Sequence, residues 1–399
     1  MKVALLGSYP TWPFREHLEL RRDTRHITST WNVNLADALS RRPGIEVHFV
    51  TLAAGIPRSR ILRSHDSLWL HFLRMTRREK GVDLGLGYAW STHRLGRYLR
   101  RIDPDLAHGI GTEHPYALSA TRLSYPSVIT VHGVVSRVVE VMGAPRWSYR
   151  RMVARLERRA LRRARNVIVI SRYVLDVLPT DIRGLRTFDI ENPIARDFFE
   201  GQPADDRARK GIVFVGMIQP RKGLDVLLRA VSLLSVQERP EWLKIIGGTI
   251  PGHSGYEAVL KAYARERALD EFVQWIGPLE QAVLRQELRA ARALVLPSRE
   301  ETAPMAIAEA FACGTPVVAS DVGGVRYMIE PGITGFLVPP DSPSELADAL
   351  RAVLALDSRC AAQRARQVSE ARYHPDRVAA ATERVYRSVL DTHLSEAPT

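Results

Sequence analysis

Residues 298–320 read SREETAPMAIAEAFACGTPVVAS, and this stretch decides the fold. The apolar run Ala293–Leu296 just before it predicts a strand. Pro304 suits the first position of a helix, and the alanine-rich segment after it predicts that helix. The run Val317–Ala319 predicts the next strand. A strand, a helix and a second strand in this order are typical of a βαβ unit in a parallel sheet.

The same alternation of short apolar runs and longer helical patterns extends over the whole chain. Five strands are predicted in the first half: Val3–Leu6, Val47–Thr51, Leu106–His108, Val128–Val131 and Val167–Ile170. Five more are predicted in the second half: Ile212–Val215, Leu243–Ile246, Val273–Ile276, Ala293–Leu296 and Val317–Ala319. Two successive sets of parallel strands predict an α/β protein with two Rossmann-like, doubly wound domains.

The chain has 399 residues, which is too long for one ordinary hydrophobic core. A junction is predicted from Asn192 to about Lys210, where residues 201–206 have the composition of a linker. We therefore expect an N-terminal domain over 1–195 and a C-terminal domain over 196–375. Residues 376–399 predict a helix that packs against the N-terminal domain.

Composition favours a cytoplasmic protein. No apolar run approaches the roughly 18 residues that a membrane span needs. The chain begins directly with a predicted strand, without the charged and apolar regions of a signal peptide. Its two cysteines, Cys313 and Cys360, cannot form a disulfide framework or a cysteine-rich metal site.

The positive charge lies in the first half of the chain. Residues 1–200 carry 33 Lys and Arg against 19 Asp and Glu, whereas the remaining residues have a net charge of −1. A basic surface attracts phosphate groups on acceptors, lipids or nucleic acid. Nine arginines lie in 146–165, which predicts either a solvated helix over a buried face with Leu156 and Leu161 or peripheral contact with an anionic membrane. Nucleic acid is disfavoured as a partner, because aromatic residues are not interleaved with the arginines.

Two glutamates mark the best candidate for a site. Glu301 precedes the predicted helix, and Glu309 lies about 7–8 Å farther along its axis. The free N–H groups and the positive end of the helix between them favour an anion. Two carboxylates around a phosphate pocket suit a nucleotide-sugar, whose sugar and ribose hydroxyls both need acceptors. The alternative is a solvated acidic helix start, although Glu309 lies in a run too apolar for an exposed face.

Residues 298–320 resemble the donor-binding signature of family 4 GT-B glycosyltransferases, in which two glutamates stand eight positions apart before A-x-G-x-P-V-V-A-S. The resemblance continues in VFVGMIQPRKGLD (213–225), WIGPL (275–279), GGV (323–325) and GITGFLV (332–338), and more loosely in VHG (131–133). It implies a GT-B fold with two facing domains and a glycosyltransferase (hexosyltransferase) activity. The donor would be a UDP-, GDP- or ADP-sugar, and transfer to an acceptor hydroxyl would proceed with retention and without a metal or other cofactor.

The resemblance also implies roles for individual residues. Lys222 corresponds to the lysine that binds the donor diphosphate, Glu309 to the ribose-binding carboxylate and Glu301 to the carboxylate near the transferred sugar. His132 corresponds to a histidine that contacts the sugar, so that His132, Lys222 and Glu301 are the predicted catalytic residues. Further donor-binding positions are Gly216, Arg221, Gly248, Leu279, Met305 and Ala306.

The chain departs from the family pattern at three places. Met217 stands where the family usually has arginine, and Arg221 is the candidate to replace that arginine. Pro304 has no N–H group, so contacts to the donor would fall to Met305 and Ala306. The glycine-rich loop after the first strand is replaced by the long segment 9–30.

The long segment 9–30 favours a large or phosphorylated acceptor. We expect a glycan, lipid-linked or otherwise anionic acceptor. The predicted acceptor-side residues are Arg15, Arg21, Arg22, Arg25 and His108.

Other functions fit parts of the sequence. A sugar phosphorylase or a nucleotide-sugar epimerase would share the architecture, but Lys244 and Lys261 lack the context of a pyridoxal phosphate lysine. A non-catalytic basic adaptor for phosphate polymers has no use for Lys222 together with the two glutamates. Residues 103–105 read DPD but precede a strand, so we interpret them as a turn. No H-E-x-x-H or C-x-x-C motif is present, and no metal site is predicted.

Overall fold

The structure of the chain is a computed structural model that describes residues 1–20, 29–142, 145, 148–179, 181–182, 184–201, 209–249 and 254–396. The chain divides into two compact units. Unit 1 contains Met1–Pro193 and Pro375–Thr399, and unit 2 contains Ile194–His374.

Unit 1 is built on an eight-stranded sheet with the order β3-β4-β2-β1-β5-β6-β7-β8. Its strands are β1 Lys2–Leu6, β2 Glu46–Ala53, β3 Arg60–His65, β4 Leu68–Arg74, β5 Leu106–Ile110, β6 Ser127–Val131, β7 Asn166–Val169 and β8 Arg186–Asp189. All neighbouring strands are parallel except β3 and β4, which are antiparallel. The five strands predicted in this half are present. The hairpin β3–β4 and the edge strand β8 were not predicted.

The helices of unit 1 lie between its strands along the chain, apart from the last one. They are α1 Thr30–Ser40, α2 Arg77–Gly85, α3 Ala89–Ile102, α4 Pro115–Ala120, α5 Val135–Met142, α6 Tyr149–Arg163, α7 Arg172–Val177 and α14 Pro375–Glu396. The last helix joins the core of unit 1, where Tyr386 and Val389 are buried together with Leu35 and Leu39 of α1.

The arginine-rich segment forms α6, whose apolar residues Leu156 and Leu161 are buried. On its outer face, Arg158 and Arg162 form ion pairs with Asp181 at 2.8 and 2.6 Å. The buried face with Leu156 and Leu161 is the one that the sequence predicted for this helix. Within the described residues, no helix is both long and apolar enough to cross a membrane.

Unit 2 contains a six-stranded sheet with the order β11-β10-β9-β12-β13-β14, in which every neighbouring pair is parallel. Its strands are β9 Gly211–Val215, β10 Leu243–Ile246, β11 Val273–Gly277, β12 Ala291–Leu296, β13 Val317–Ser320 and β14 Gly335–Val338. Its helices are α8 Leu224–Ser232, α9 Ser254–Glu266, α10 Gln281–Ala290, α11 Met305–Ala312, α12 Pro343–Ala355 and α13 Ser358–Arg372. The five predicted strands are present, and β14 is an addition. Their alternation with helices gives the doubly wound architecture.

Candidate functional site

The candidate site of unit 2 lies at the carboxyl ends of three adjacent strands. Gly216 follows β9, Gly248 lies just beyond β10, and Ser298 follows β12. The Gly248 carbonyl accepts a hydrogen bond from the Ile218 N–H at 2.9 Å, which ties the first two loops together. In an open parallel sheet, ligands bind beyond the carboxyl ends of the strands. The fold therefore gathers these loops where a ligand site is expected.

Two glycines allow the backbones of these loops to approach each other. Gly247 has φ of 143°, and a Cβ there would overlap the carbonyl oxygen of Gly216. Gly223, with φ of 66°, lies so close to Pro297 that a Cβ would overlap the Pro297 carbonyl. Both positions need glycine for conformation and for space. This close approach places the residue before Gly223, Lys222, beside the loop after β12.

Lys222, which is partly buried, and the buried Glu301 form an ion pair in this site. The Lys222 Nζ donates to Glu301 Oε1 at 2.5 Å, and the Ser298 hydroxyl donates to the same oxygen at 2.8 Å. Arg221 Nη1 donates to the Glu300 carbonyl at 2.6 Å and lies 3.5 Å from Glu301 Oε2. The neighbours Arg221 and Lys222 therefore reach the same carboxylate, although Met217 offers no charge at the family's arginine position.

The electrostatics keep Glu301 ionised. Glu301 is only 5% exposed, and burial alone would raise its pKa. The charges of Lys222 and Arg221, with hydrogen bonds from Lys222 and Ser298, outweigh burial and hold the pKa of Glu301 below its ordinary value. The site thus holds a fixed carboxylate and two cations close together, which can meet an anionic, hydroxyl-rich ligand.

Glu309 differs from Glu301 in having no such partners. It lies on α11, is 8% exposed, and accepts no hydrogen bond to its carboxylate from any described residue. Burial raises the pKa of Glu309 to about 7. A buried carboxyl group without protein partners is a candidate acceptor for hydroxyl groups of a ligand. Met305 and Ala306 begin the same helix, so their N–H groups lie at its open end.

Arg299 and Asp225 support the site, and the sequence did not assign them a role. Arg299 Nη2 lies 2.8 Å from Asp225 Oδ2, and Arg299 Nε lies 2.7 Å from Asp341 Oδ1. The Arg299 N–H also donates to the Arg221 carbonyl at 2.8 Å. These contacts fix the loop after β12 against the start of α8. The only sequence signal was that both residues lie inside the quoted motifs.

Leu279, a predicted donor-side residue, is partly buried against the core of unit 2.

His132 of unit 1 lies directly after β6. Its Nε2 is 3.1 Å from Asn192 Oδ1, and its ring centroid is 5.3 Å from that of Trp31. Burial lowers the pKa of His132, so its imidazole is neutral near pH 7. The structure thus places a neutral imidazole at a strand end of unit 1.

His108 requires a correction. Its ring is fully buried, with Nδ1 2.6 Å from the Tyr386 hydroxyl and Nε2 2.6 Å from the Thr130 hydroxyl. Burial lowers its pKa to about 3. Both nitrogens are used within the core, so the structure leaves His108 no polar atom for an acceptor. The sequence prediction failed because the strand continues to Ile110, which puts His108 inside it.

The predicted acceptor-side arginines are only partly described. The Arg15 Nη2 lies 3.6 Å from Glu16 Oε1, and the Arg15 guanidinium lies over the ring of Trp12. Arg21, Arg22 and Arg25 lie outside the described residues.

A buried glutamate that the sequence did not single out joins a loop and a helix start in unit 1. The Glu157 carboxylate accepts hydrogen bonds from the Thr112 hydroxyl at 2.8 Å, from the Val135 N–H at 2.9 Å and from the Ser136 N–H at 3.1 Å. Burial raises the pKa of Glu157 in spite of these bonds. Glu157 therefore ties the loop after β5 to the start of α5, which directly follows the loop that carries His132.

The described residues contain no group of three or more His, Cys, Asp or Glu side chains placed to hold a metal ion. The groups available for chemistry in the site of unit 2 are its carboxylates, its two cations and the start of α11.

Comparison with known proteins gives matches to two family models. The model "Glycosyl transferases group 1" matches residues 196–373, and "Glycosyltransferase Family 4" matches residues 28–187. The D-inositol 3-phosphate glycosyltransferase of Streptomyces avermitilis is 37% identical over 214 residues, covering 48% of this chain and 45% of that protein. The protein of the same name from Jonesia denitrificans is 38% identical over 145 residues, covering 36% and 34%. The matched region thus spans between a third and a half of these relatives.

Solved structures resemble the fold over nearly the whole chain. Sucrose-phosphate synthase from Thermosynechococcus elongatus superposes with a TM-score of 0.79 at 22% identity, covering 98% of this chain and 100% of that one. Anabaena HepE in complex with UDP-glucose gives a TM-score of 0.68 at 17% identity, covering 99% and 100%. The likeness to these structures concerns the fold, which is GT-B. The two family models, which lie side by side along the sequence, show that the chain belongs to the family 4 glycosyltransferases.

Proposed function

We propose that the chain transfers a hexose from a nucleotide-diphosphate sugar to an acceptor hydroxyl, with retention of configuration and without a metal. Unit 2 would bind the donor, and unit 1 would bind the acceptor. UDP is the first nucleotide to test, because the Anabaena protein was solved with UDP-glucose. Of the alternatives, a phosphorylase would use inorganic phosphate as the acceptor, and an epimerase would need no acceptor.

The observation that carries the proposal is the partly buried ion pair between Lys222 and Glu301 at the strand ends of unit 2. In the proposed reaction, Lys222 would stabilise the charge that grows on the diphosphate as the glycosidic bond breaks. Arg221 would add a second cation, so that two side chains would supply the charge that a metal ion supplies in other enzymes. Glu301 would accept hydrogen bonds from the transferred sugar.

Glu309 would bind the ribose. Its carboxylate has no described partner, and a ribose diol can donate two hydrogen bonds to one carboxylate. Met305 and Ala306 would direct their N–H groups towards phosphate oxygens. His132 would contact the sugar as a neutral imidazole. The acceptor oxygen would bond to the anomeric carbon on the face from which the diphosphate leaves, and the diphosphate would take the acceptor proton.

A cytoplasmic location and an anionic acceptor belong to the same proposal. The curated relatives are named for inositol 3-phosphate, a phosphorylated polyol. Contact with an anionic membrane receives less support, because Arg158 and Arg162 of α6 already pair with Asp181. Sedimentation with anionic vesicles at low salt, where exposed charges act over a longer range, would test this contact.

The test is a donor panel on the full chain. Thermal unfolding is measured with UDP, GDP and ADP and with their glucose, galactose, mannose and N-acetylglucosamine derivatives where these exist. A nucleotide at 100 times its dissociation constant stabilises the protein by about 2.7 kcal/mol. The preferred donor is then incubated with sugar and polyol acceptors, and proton NMR of the product reports the anomeric configuration. Absence of any stabilising nucleotide together with absence of any transferred sugar would overturn the proposal.

A further inference from the structure

A large cavity lies within unit 1, away from the residues assigned above to the donor. Its volume is about 940 Å³, and its walls come from the segments after β1, β2 and β4 and from the starts of α2 and α4. These strands are neighbours in the sheet, so their carboxyl ends meet at one edge. The volume falls near the upper end of the range of about 300–1,000 Å³ found for small-molecule sites.

The wall of the cavity is held by internal hydrogen bonds. The Tyr116 hydroxyl accepts from the Leu52 N–H at 3.0 Å and lies 3.4 Å from the Thr51 hydroxyl. The Met75 N–H donates to the Ala53 carbonyl at 2.9 Å, which joins the loops after β4 and β2. The cavity is therefore part of the folded unit and is not a gap between loose side chains.

Three cations line the cavity, and the charge of one of them, Arg74, acts on the nearby Glu79 carboxylate, which itself binds the Thr76 N–H. Arg74, Arg77 and Lys80 are exposed, and no described residue forms an ion pair with any of them. Of the described residues that line the cavity, Asp83 is the only acidic one. Its carboxylate is used by the N–H and hydroxyl groups of Ser91, at 3.0 and 2.5 Å. The cavity consequently presents positive charge to an incoming ligand.

The rest of the lining combines aromatic rings with hydroxyl groups. Tyr9, Tyr88 and Trp31 supply ring surface, and Thr11 and Thr51 supply hydroxyls. The Trp31 indole N–H is buried and has no acceptor among the described residues. Aromatic surface with a few polar groups suits a ring-shaped ligand with many hydroxyls.

We infer that this cavity binds the acceptor and selects a polyhydroxylated molecule that carries a phosphate monoester, with Arg74, Arg77 and Lys80 as the specificity-determining residues. This inference rests on the proposed function, because it assigns the acceptor of the same reaction. Arginine and lysine are the side chains that bind phosphate best, and the arginine fork gives two parallel hydrogen bonds. It also adds contacts at the end of β4 and the start of α2 to the acceptor-side residues predicted in segment 9–30.

The test compares matched variants in the full chain. The cavity variant is R74Q/R77Q/K80Q. The control variant is R78Q/R97Q/R100Q, which removes the same charge from exposed arginines of α2 and α3 that do not line the cavity. Calorimetry measures the binding of myo-inositol, myo-inositol monophosphate, glucose, glucose 6-phosphate and glucuronate. Vesicles containing phosphatidylinositol test whether the same phosphate chemistry comes from a lipid headgroup.

We expect the wild-type protein to bind at least one sugar or polyol monophosphate more tightly than its neutral counterpart. The cavity variant should bind that monophosphate about 10- to 100-fold more weakly, because it loses charged hydrogen bonds. The control variant should bind it within about two-fold of wild type, since exposed charges at a distance are screened by salt. Affinity for the nucleotide diphosphate should be unchanged in both variants, which also shows that they fold.

Three results would overturn the inference. The cavity variant could keep wild-type affinity for the monophosphate, the two variants could lose it equally, or glucuronate alone could bind. The wild-type protein could instead bind the phosphatidylinositol vesicles more tightly than every free monophosphate. If only the cavity variant loses this binding, the phosphate belongs to a lipid headgroup and the inference is supported. Failure of the proposed function would look different: no nucleotide would bind and no sugar would be transferred, whatever the titrations with monophosphates show.

Discussion

Replacing Glu309 by glutamine should stabilise unit 2 at alkaline pH and change it little at acidic pH. Burial raises the pKa of Glu309 from 4.5 to about 7, so the folded protein keeps a proton that the unfolded chain loses. The stability of the folded protein is therefore highest below pH 4.5, where Glu309 is protonated in both states. The free energy of unfolding then falls as the pH rises from 4.5 through about 7, because only the folded protein still holds the proton. At 1.36 kcal/mol per pH unit, the loss amounts to about 3 kcal/mol. For a domain of about 180 residues, this corresponds to roughly 6–12 °C in Tm.

Scanning calorimetry of wild type and Glu309→Gln at about pH 5 and about pH 8 measures this difference. Glu271→Gln, which removes an exposed carboxylate from unit 2, is the matched control and should keep the wild-type pH dependence. If Glu309→Gln shows the same fall in Tm as wild type, the carboxyl group is not held protonated by burial. Nucleotide affinity should rise with pH through about 7 in wild type, because an ionised carboxylate accepts stronger hydrogen bonds. In Glu309→Gln that affinity should fall by about 1.5–3 kcal/mol.

Further predictions concern backbone packing beside the site, the buried Glu157 of unit 1 and the metal requirement. Gly247→Ala should destabilise unit 2 by about 1–3 kcal/mol in urea unfolding, because the new methyl group overlaps the Gly216 carbonyl. The control Gly248→Ala, where a methyl group meets nothing within 4 Å, should leave the stability almost unchanged. Equal effects of the two substitutions would contradict the close approach of Gly247 to Gly216. Glu157→Ala should cost about 2–4 kcal/mol and speed hydrogen exchange at the Val135 and Ser136 amides, which lose their acceptor; unchanged exchange there would refute the anchoring role. EDTA should leave transferase activity intact, and activity that is lost and then restored by manganese would show a metal requirement.

The sequence predicted the central strands well because their residues are buried on both faces and form continuous apolar runs. It missed β3 and β8, whose sequences RILRSH and RTFD are polar because they lie at the two edges of the sheet. It also missed β4, although β4 is apolar. The prediction relied on strands that alternate with helices, and β4 follows β3 in a hairpin with no helix between them. The strand β14 lay inside a recognised motif, GITGFLV, but was not identified as a strand.

For the site, the sequence predicted roles for Lys222, Glu301 and Glu309 but not the contacts that these side chains make in the folded chain. Lys222 and Glu301 are 79 positions apart, and their contact depends on the close approach of two loops that only the folded sheet provides. The different states of the two glutamates also follow from tertiary contacts, since one has two cations beside it and the other has none. The partners of Arg299 were unpredictable for the same reason.

The central claim is that Lys222, held against Glu301, stabilises the leaving diphosphate. It is tested most directly by steady-state release of nucleotide diphosphate from the preferred nucleotide-sugar in the presence of acceptor. Lys222→Ala should lower kcat by about 100-fold or more, the effect of removing a preorganised charge stabiliser. Lys261→Ala, which removes a lysine paired with Glu257 on α9 at 2.7 Å, should keep the wild-type kcat. A folded Lys222→Ala protein that turns over at the wild-type rate would contradict the assignment of the site.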